Sequence, residues 1–321
     1  MGLIGFNNIF SSNLNNKLLD SFIEYFDWEL LNKGNYFNSS LGELSPNGLD
    51  YSELKISSSE HYPSGSAWEG FRSNWIWQSG IAPDGFSEPL VGSNDVIPGI
   101  SGVYVDDTFY SSSTTGDYAH KVDYFDGRII FDNAIPISSK VQAEFSYKYI
   151  NIMYASTLPY IREIQYRTLD KSSFFNTTDK GDYATPSEMR TQLPLIAIEI
   201  VPTRTFKPLG LGSVAHKFVY TDMLFHCVAE DEFTRNQLVD MVSFQADTEI
   251  PLLNLDSISS NNAFPIDYEG VPVSGALRYP DLISTYCSGS ARFLNPRVQG
   301  MEMLNSRLYG SVVRITAEVI Q

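Results

Sequence analysis

Cysteine is scarce in this sequence: Cys227 and Cys287 are the two in 321 residues, and they lack CxxC spacing. That excludes a disulfide-dense scaffold and a cysteine-based zinc site, and both thiols read as core residues. Positive charge is scarce as well. The 22 Lys and Arg stand against 38 Asp and Glu, a formal charge of 22 − 38 = −16, and no two basic residues are adjacent. Sequence-independent nucleic-acid binding needs Lys and Arg to neutralise phosphates, so it is excluded, and an anionic membrane surface would be repelled. The most apolar stretch, 193–201, spans nine residues and contains Glu199, well short of the roughly 20 that cross a bilayer. The N-terminal Met1-Gly2-Leu3-Ile4-Gly5-Phe6 has no charged n-region, and Phe6 stands where myristoylation needs Ser or Thr; no targeting or insertion is expected. Motifs of the G-x-S-x-G, H-E-x-x-H and P-loop types are missing, as is any fixed internal repeat.

Apolar residues are plentiful. At 43% hydrophobic, 13% aromatic and 19% charged, the chain can bury a sizeable core and does not read as disordered. Its length predicts about two domains.

Leu14, Leu18, Phe22 and Tyr25 recur at helical spacing, Leu19, Ile23 and Phe26 widen the stripe, and Gly34 is placed to end the helix. Ahead of it, Leu3, Ile4, Phe6, Ile9 and Phe10 form an apolar arm that tucks under its own domain or docks on a neighbour. From about residue 51 the pattern is β. Asp126-Gly127 sits between two strand-like runs as a hairpin signal, and Val141, Ala143, Phe145, Tyr147 and Tyr149 alternate with polar residues as one long strand. A polar stretch at 171–192 has neither period. Beyond it come a buried strand at 195–201, a long strand at 218–228, an N-cap at Glu230-Asp231, a helix near 233–245 and a final strand at 308–320 interrupted near Gly310. The expected fold is α+β and β-rich: an arm and helix over 1–50, a β-sandwich or small barrel over 51–160, a long loop over 161–192, and an α+β unit over 193–321 with a helix packed on an antiparallel sheet.

Four places in the sequence hold residue types that could carry chemistry. Gly210-Leu-Gly212-Ser-Val-Ala215 matches a dinucleotide fingerprint by letter, but Lys207-Pro208 precedes it and a strand-like run follows, where the fingerprint needs a strand and then a helix. His216 and His226 fall on one strand about 33 Å apart and cannot share a metal, and His61 and His120 have no second ligand. Asp106-Asp107 and Glu230-Asp231-Glu232 could supply glycosidase carboxylates, yet a turn and a helix cap account for them. Trp68, Phe71, Trp75 and Trp77 cluster among Gly65, Gly70 and Gly80, and three readings stay open for them: a core, a subunit interface, or a sugar platform. No catalytic residue, cofactor or metal is expected, and the chain does not read as an enzyme.

Several strings carry a family resemblance: Phe22-Ile-Glu-Tyr-Phe-Asp-Trp-Glu-Leu-Leu-Asn-Lys-Gly-Asn-Tyr-Phe37, Trp68-Glu-Gly-Phe-Arg72, Ser101-Gly-Val-Tyr-Val105, the 122–131 run, Leu193-Pro-Leu-Ile-Ala-Ile-Glu199, the 226–240 strand-to-helix run, and Phe264-Pro-Ile-Asp-Tyr-Glu-Gly270. Together they resemble virion structural proteins of tailed bacteriophages, of the neck, head-to-tail connector or tail-terminator type. The resemblance implies a homo-oligomeric ring of six or twelve copies in the virion, assembled in the host bacterial cytoplasm. Its partners are then neighbouring neck, portal-adaptor and tail-tube or sheath proteins, with DNA only in transit through an acidic channel. Leu3, Ile4, Phe6, Ile9, Phe10, Trp68, Trp75 and Trp77 are the expected interface residues. The alternative is a carbohydrate-binding β module of a baseplate or fibre, using the 68–77 region.

Overall fold

The computed structural model describes residues 14–44, 48, 50–57, 59–78, 81, 90–91, 99–155, 192–210, 217–305 and 308–320. The arm residues Leu3, Ile4, Phe6, Ile9 and Phe10, and the loop over 161–191, lie outside the described residues.

Helix α1 (Leu14–Asn32) forms where the apolar stripe predicts it. Gly34, at φ +84°, ends it in a Schellman arrangement: Gly34 N–H donates to the Leu31 carbonyl at 3.0 Å and Asn35 N–H to that of Leu30 at 3.0 Å. The buried face of α1 packs on the sheet of the C-terminal half. Phe22 meets Phe293 edge-on with ring centroids 4.8 Å apart, and Phe26 meets Phe225 at 5.5 Å. Helix α1 is therefore part of the C-terminal core, which joins Leu18 and Phe22 to Ile196, Met223, Leu238 and Ile315.

Seven short strands form one curled antiparallel sheet. They are β2 (Glu53–Ile56), β3 (Ala67–Glu69), β4 (Gly102–Val105), β5 (Thr108–Ser111), β6 (His120–Asp123), β7 (Arg128–Phe131) and β8 (Val141–Gln142), in the order β5-β4-β8-β2-β3-β7-β6. Asp106 and Asp107, both at positive φ (48° and 64°), make the two-residue turn between β4 and β5, a conformation Asp tolerates better than most residues. Asp126-Gly127 closes the β6–β7 hairpin with Gly127 at φ +66°. The single strand predicted over 141–149 is two strands. After β8 the chain leaves this sheet, and β9 (Phe145–Lys148) pairs instead with β1 (Tyr36–Ser39). Val141, Ala143 and Phe145 stay buried across the switch.

The second sheet has six strands in the order β10-β11-β12-β15-β14-β13: β10 (Asn151–Tyr154), β11 (Leu195–Pro208), β12 (Lys217–Ala229), β13 (Glu249–Leu253), β14 (Cys287–Asn305) and β15 (Leu308–Ile320). All neighbours are antiparallel except β10, which runs parallel to β11. The N-terminal sheet unit thus ends near Lys148 rather than 160, since 151–154 is given to the other sheet. Gly310 does not interrupt β15; it pairs with Val228 on one side and Glu302 on the other. Helix α2 (Glu232–Ser243) begins at the predicted cap: Asp231 accepts the Thr234 N–H at 2.8 Å and the Thr234 hydroxyl at 2.7 Å. Two short helices, α3 (Leu255–Ser260) and α4 (Tyr279–Tyr286), complete the helices among the described residues.

The two units share buried contacts. Asn35 donates to the Ile150 carbonyl at 2.9 Å and accepts its N–H at 2.6 Å, and Trp28, Ile76 and Tyr279 belong to one apolar cluster.

Candidate functional site

The three indoles expected at an interface lie inside the chain. Trp68, Trp75 and Trp77 are buried, with Trp75 only 1% exposed and stacked on Phe145 at 4.3 Å. Their N–H groups explain how they are held: Trp68 donates to the Gly65 carbonyl at 3.1 Å and Trp75 to that of Arg72 at 2.8 Å. Gly70 is required beside them, because a Cβ there would come within 2.7 Å of the Trp75 ring. A neighbouring subunit or a sugar ring cannot stack on rings so covered, and this corrects their placement as contact residues.

The other candidates resolve locally. Cys227 is buried, its thiol pushed up to about 12 by desolvation. Cys287 is exposed at the start of β14, not in the core. His226 meets Glu199 at 3.0 Å on the sheet surface, while His120 is buried with Nδ1 2.9 Å from the Tyr118 carbonyl and its pKa lowered by burial. His216 lies outside the described residues. Gly210 sits in the connection between antiparallel strands β11 and β12, so a strand follows where a nucleotide fingerprint needs a helix. Among the described residues no group of three His, Cys, Asp or Glu side chains is arranged to hold a metal, and no helix is long and apolar enough to cross a membrane.

A cleft of about 370 Å³ that the motifs did not indicate lies at the edge of the seven-stranded sheet. It is lined by Tyr62, Lys121, Asp123, Phe125, Asp126, Ile130 and the 268–271 turn. Behind its lining carboxylates Asp123 and Asp126 lies an ion cluster around Arg128, whose side chain is 6% exposed. Arg128 Nε lies 3.3 Å from Asp123 and Nη1 3.8 Å from Glu69, both buried; Nη2 bonds the exposed Asp126. The guanidinium also sits over the Tyr62 ring, 5.3 Å from its centroid. Desolvation, and after it the Asp126 charge, pushes the Asp123 carboxyl up to about 6, against the backbone N–H groups of Phe125 and Asp126 that it accepts at 3.1 Å. On the rim, Lys121 pairs with Glu269 at 3.2 Å. Gly270, at φ +78°, lets the turn approach so closely that its carbonyl accepts the Tyr124 N–H at 3.0 Å. Two parts of the cleft were visible in sequence, the Asp126-Gly127 hairpin and the Phe264-to-Gly270 string. Nothing in sequence brought together residues more than 140 positions apart.

Two further surfaces are open on the C-terminal unit. The β11–β12 hairpin end exposes Phe206 (55%) and Leu209 beside Lys207 and Lys217. Phe233 (72%) in the first turn of α2 and Phe244 (79%) at its C-cap are exposed, as is Asp240, while Glu232 pairs with Arg235 at 3.1 Å and Asp247 with Arg292 at 2.8 Å.

The chain matches no protein-family model and no curated protein. Its reading therefore rests on its own residues.

Proposed function

We propose that the protein is a structural subunit of a head-to-tail ring in the neck of a tailed bacteriophage, joining the capsid portal to the tail around the DNA channel. One observation carries the ring: the C-terminal unit exposes unlike apolar surfaces. Phe206 and Leu209 are exposed at the β11–β12 hairpin end, where Lys207 and Lys217 are also exposed, whereas Phe233 and Phe244 are exposed at the two ends of α2, where Asp240 is exposed and Glu232 and Asp247 are paired with Arg235 and Arg292. Two large phenylalanines exposed at the start and the C-cap of one helix are an unusual exposure for a lone subunit. Unlike patches on one molecule associate heterologously, and such contacts close into rings when the rotation allows. The end of β14, where Val298, Met301 and Met303 are exposed, is available to proteins of adjoining rings. The net charge of −16 supports a channel to which phosphates do not adhere, with the carboxylates enriched on the channel face and the basic residues turned toward partners. The virion position itself rests on the sequence resemblance.

Native mass spectrometry and negative-stain imaging of the full chain test the reading. Rings are expected. Phe206→Asp with Lys207→Glu is expected to leave monomers, as is Phe233→Asp with Phe244→Asp. A wild-type chain that stays monomeric alone, and joins no virion particle, sinks the proposal.

A further inference from the structure

We infer that the cleft between the β6–β7 hairpin and the 266–272 turn binds a short, uncharged saccharide. The inference is separate from the ring reading, since the cleft shares no residue with the hairpin end or the α2 surface.

The rim is aromatic and rigidly displayed. Tyr268 is 95% exposed and Phe125 55%, yet the turn that carries Tyr268 is densely hydrogen-bonded. The Asp267 carboxylate accepts the N–H groups of Glu269 at 2.9 Å and Val271 at 3.0 Å, and Asp267 N–H donates to the Val271 carbonyl at 2.9 Å. The Gly270 carbonyl anchors the turn to Tyr124 across the cleft edge. An aromatic ring on so fixed a turn loses little freedom when a ligand stacks on it, which favours binding.

The charges of the cleft choose the ligand class. Arg128 is already matched by Asp123, Asp126 and Glu69, and Lys121 by Glu269. An anion entering would face Asp126 and Glu269. A cation would face Lys121, and the lining carboxylates Asp123, Asp126 and Glu269 are already engaged with Arg128 and Lys121. What remains is a neutral molecule that offers hydroxyls to fixed acceptors and donors and an apolar C–H face to the rings. A saccharide has both. The volume of about 370 Å³ falls at the small end of the roughly 300–1,000 Å³ range of small-molecule sites, which suits a short one.

The test titrates the full chain with malto-, cello- and chito-oligosaccharides to millimolar concentration, read by saturation-transfer NMR, with sialylated and sulfated glycans in parallel. At least one neutral series is expected to bind. Tyr268→Ala and Phe125→Ala should each weaken it roughly tenfold while the melting temperature stays that of the wild type. Phe109→Ala, at an exposed ring on β5 at the opposite edge of the sheet, should leave binding unchanged. The inference is overturned if no neutral saccharide binds, if charged glycans alone bind, or if binding survives both cleft variants.

Discussion

Replacing Arg128 by Met tests the ion cluster beneath the cleft, and its effect should depend on pH. The guanidinium is 6% exposed and faces the buried Asp123 and Glu69. Removing one partner from a buried pair costs about 3–5 kcal/mol, because the other charge is left uncompensated. Asp126, 60% exposed, rehydrates and contributes less than about 1 kcal/mol. The buried carboxyls escape by taking up protons. With Arg128 present the Asp123 carboxyl already stands at about 6, so neutralising it costs on the order of 1 kcal/mol at pH 7, a few kcal/mol at pH 8, and almost nothing at pH 5. Losing the guanidinium raises that pKa further. For a raised carboxyl the folded state holds the proton more tightly than the unfolded chain, so stability is greatest below the unfolded value near 4 and is lost as pH rises through the folded value. Arg128→Met should therefore be less stable than wild type by about 3–5 kcal/mol at pH 8, and by roughly 2 kcal/mol less than that at pH 5. Urea unfolding at both pH values measures it through the midpoint at constant slope. A penalty equal at pH 5 and pH 8, or a variant as stable as wild type at pH 8, would refute the account of a charge cluster buried under the cleft.

Two other perturbations follow from single positions. Gly270→Ala places a Cβ 2.1 Å from Asp123 Oδ1 at φ +78°, and should lower stability by about 1–3 kcal/mol in thermal or urea unfolding; an unchanged midpoint means the turn does not pack as described. Glu24 on α1 is pushed up to about 7, first by desolvation and then by Asp27. Its contribution to stability is therefore lost as pH rises from about 4.5 through 7, and Glu24→Gln should flatten that fall and stabilise the fold above pH 7 by on the order of 1 kcal/mol. A pH profile parallel to that of the wild type would remove this assignment.

Elements governed by local rules were legible in the sequence. The α1 stripe and Gly34, the Asp126-Gly127 hairpin, the Asp231 cap and the strand at 308–320 each depend on neighbours a few residues away. Strand β14 was not legible, although it has 19 residues. Register shifts at Leu294/Arg297, Gln299/Met301 and Met303/Asn305, with Asn295 at φ +52°, break the two-residue alternation by which strands are read. Splitting 141–149 between β8 and β9 also had no local signal, because the apolar–polar alternation of the sequence runs unbroken across the point where the backbone changes partner.

The sequence by itself determined the chemical character of the protein: an acidic, β-rich chain with a large aromatic core and two cysteines that form no zinc or disulfide pattern. These follow from composition and from short-range periodicity, which need no knowledge of distant contacts. Only the tertiary structure decided which aromatics face solvent. The tryptophans conspicuous in sequence are enclosed by strands that arrive from residues 120–148, while Tyr268 and Phe125 stand exposed over a cleft closed by a turn some 140 positions further along. Burial is a property of what packs against a side chain, and here what packs comes from positions tens of residues to more than a hundred away.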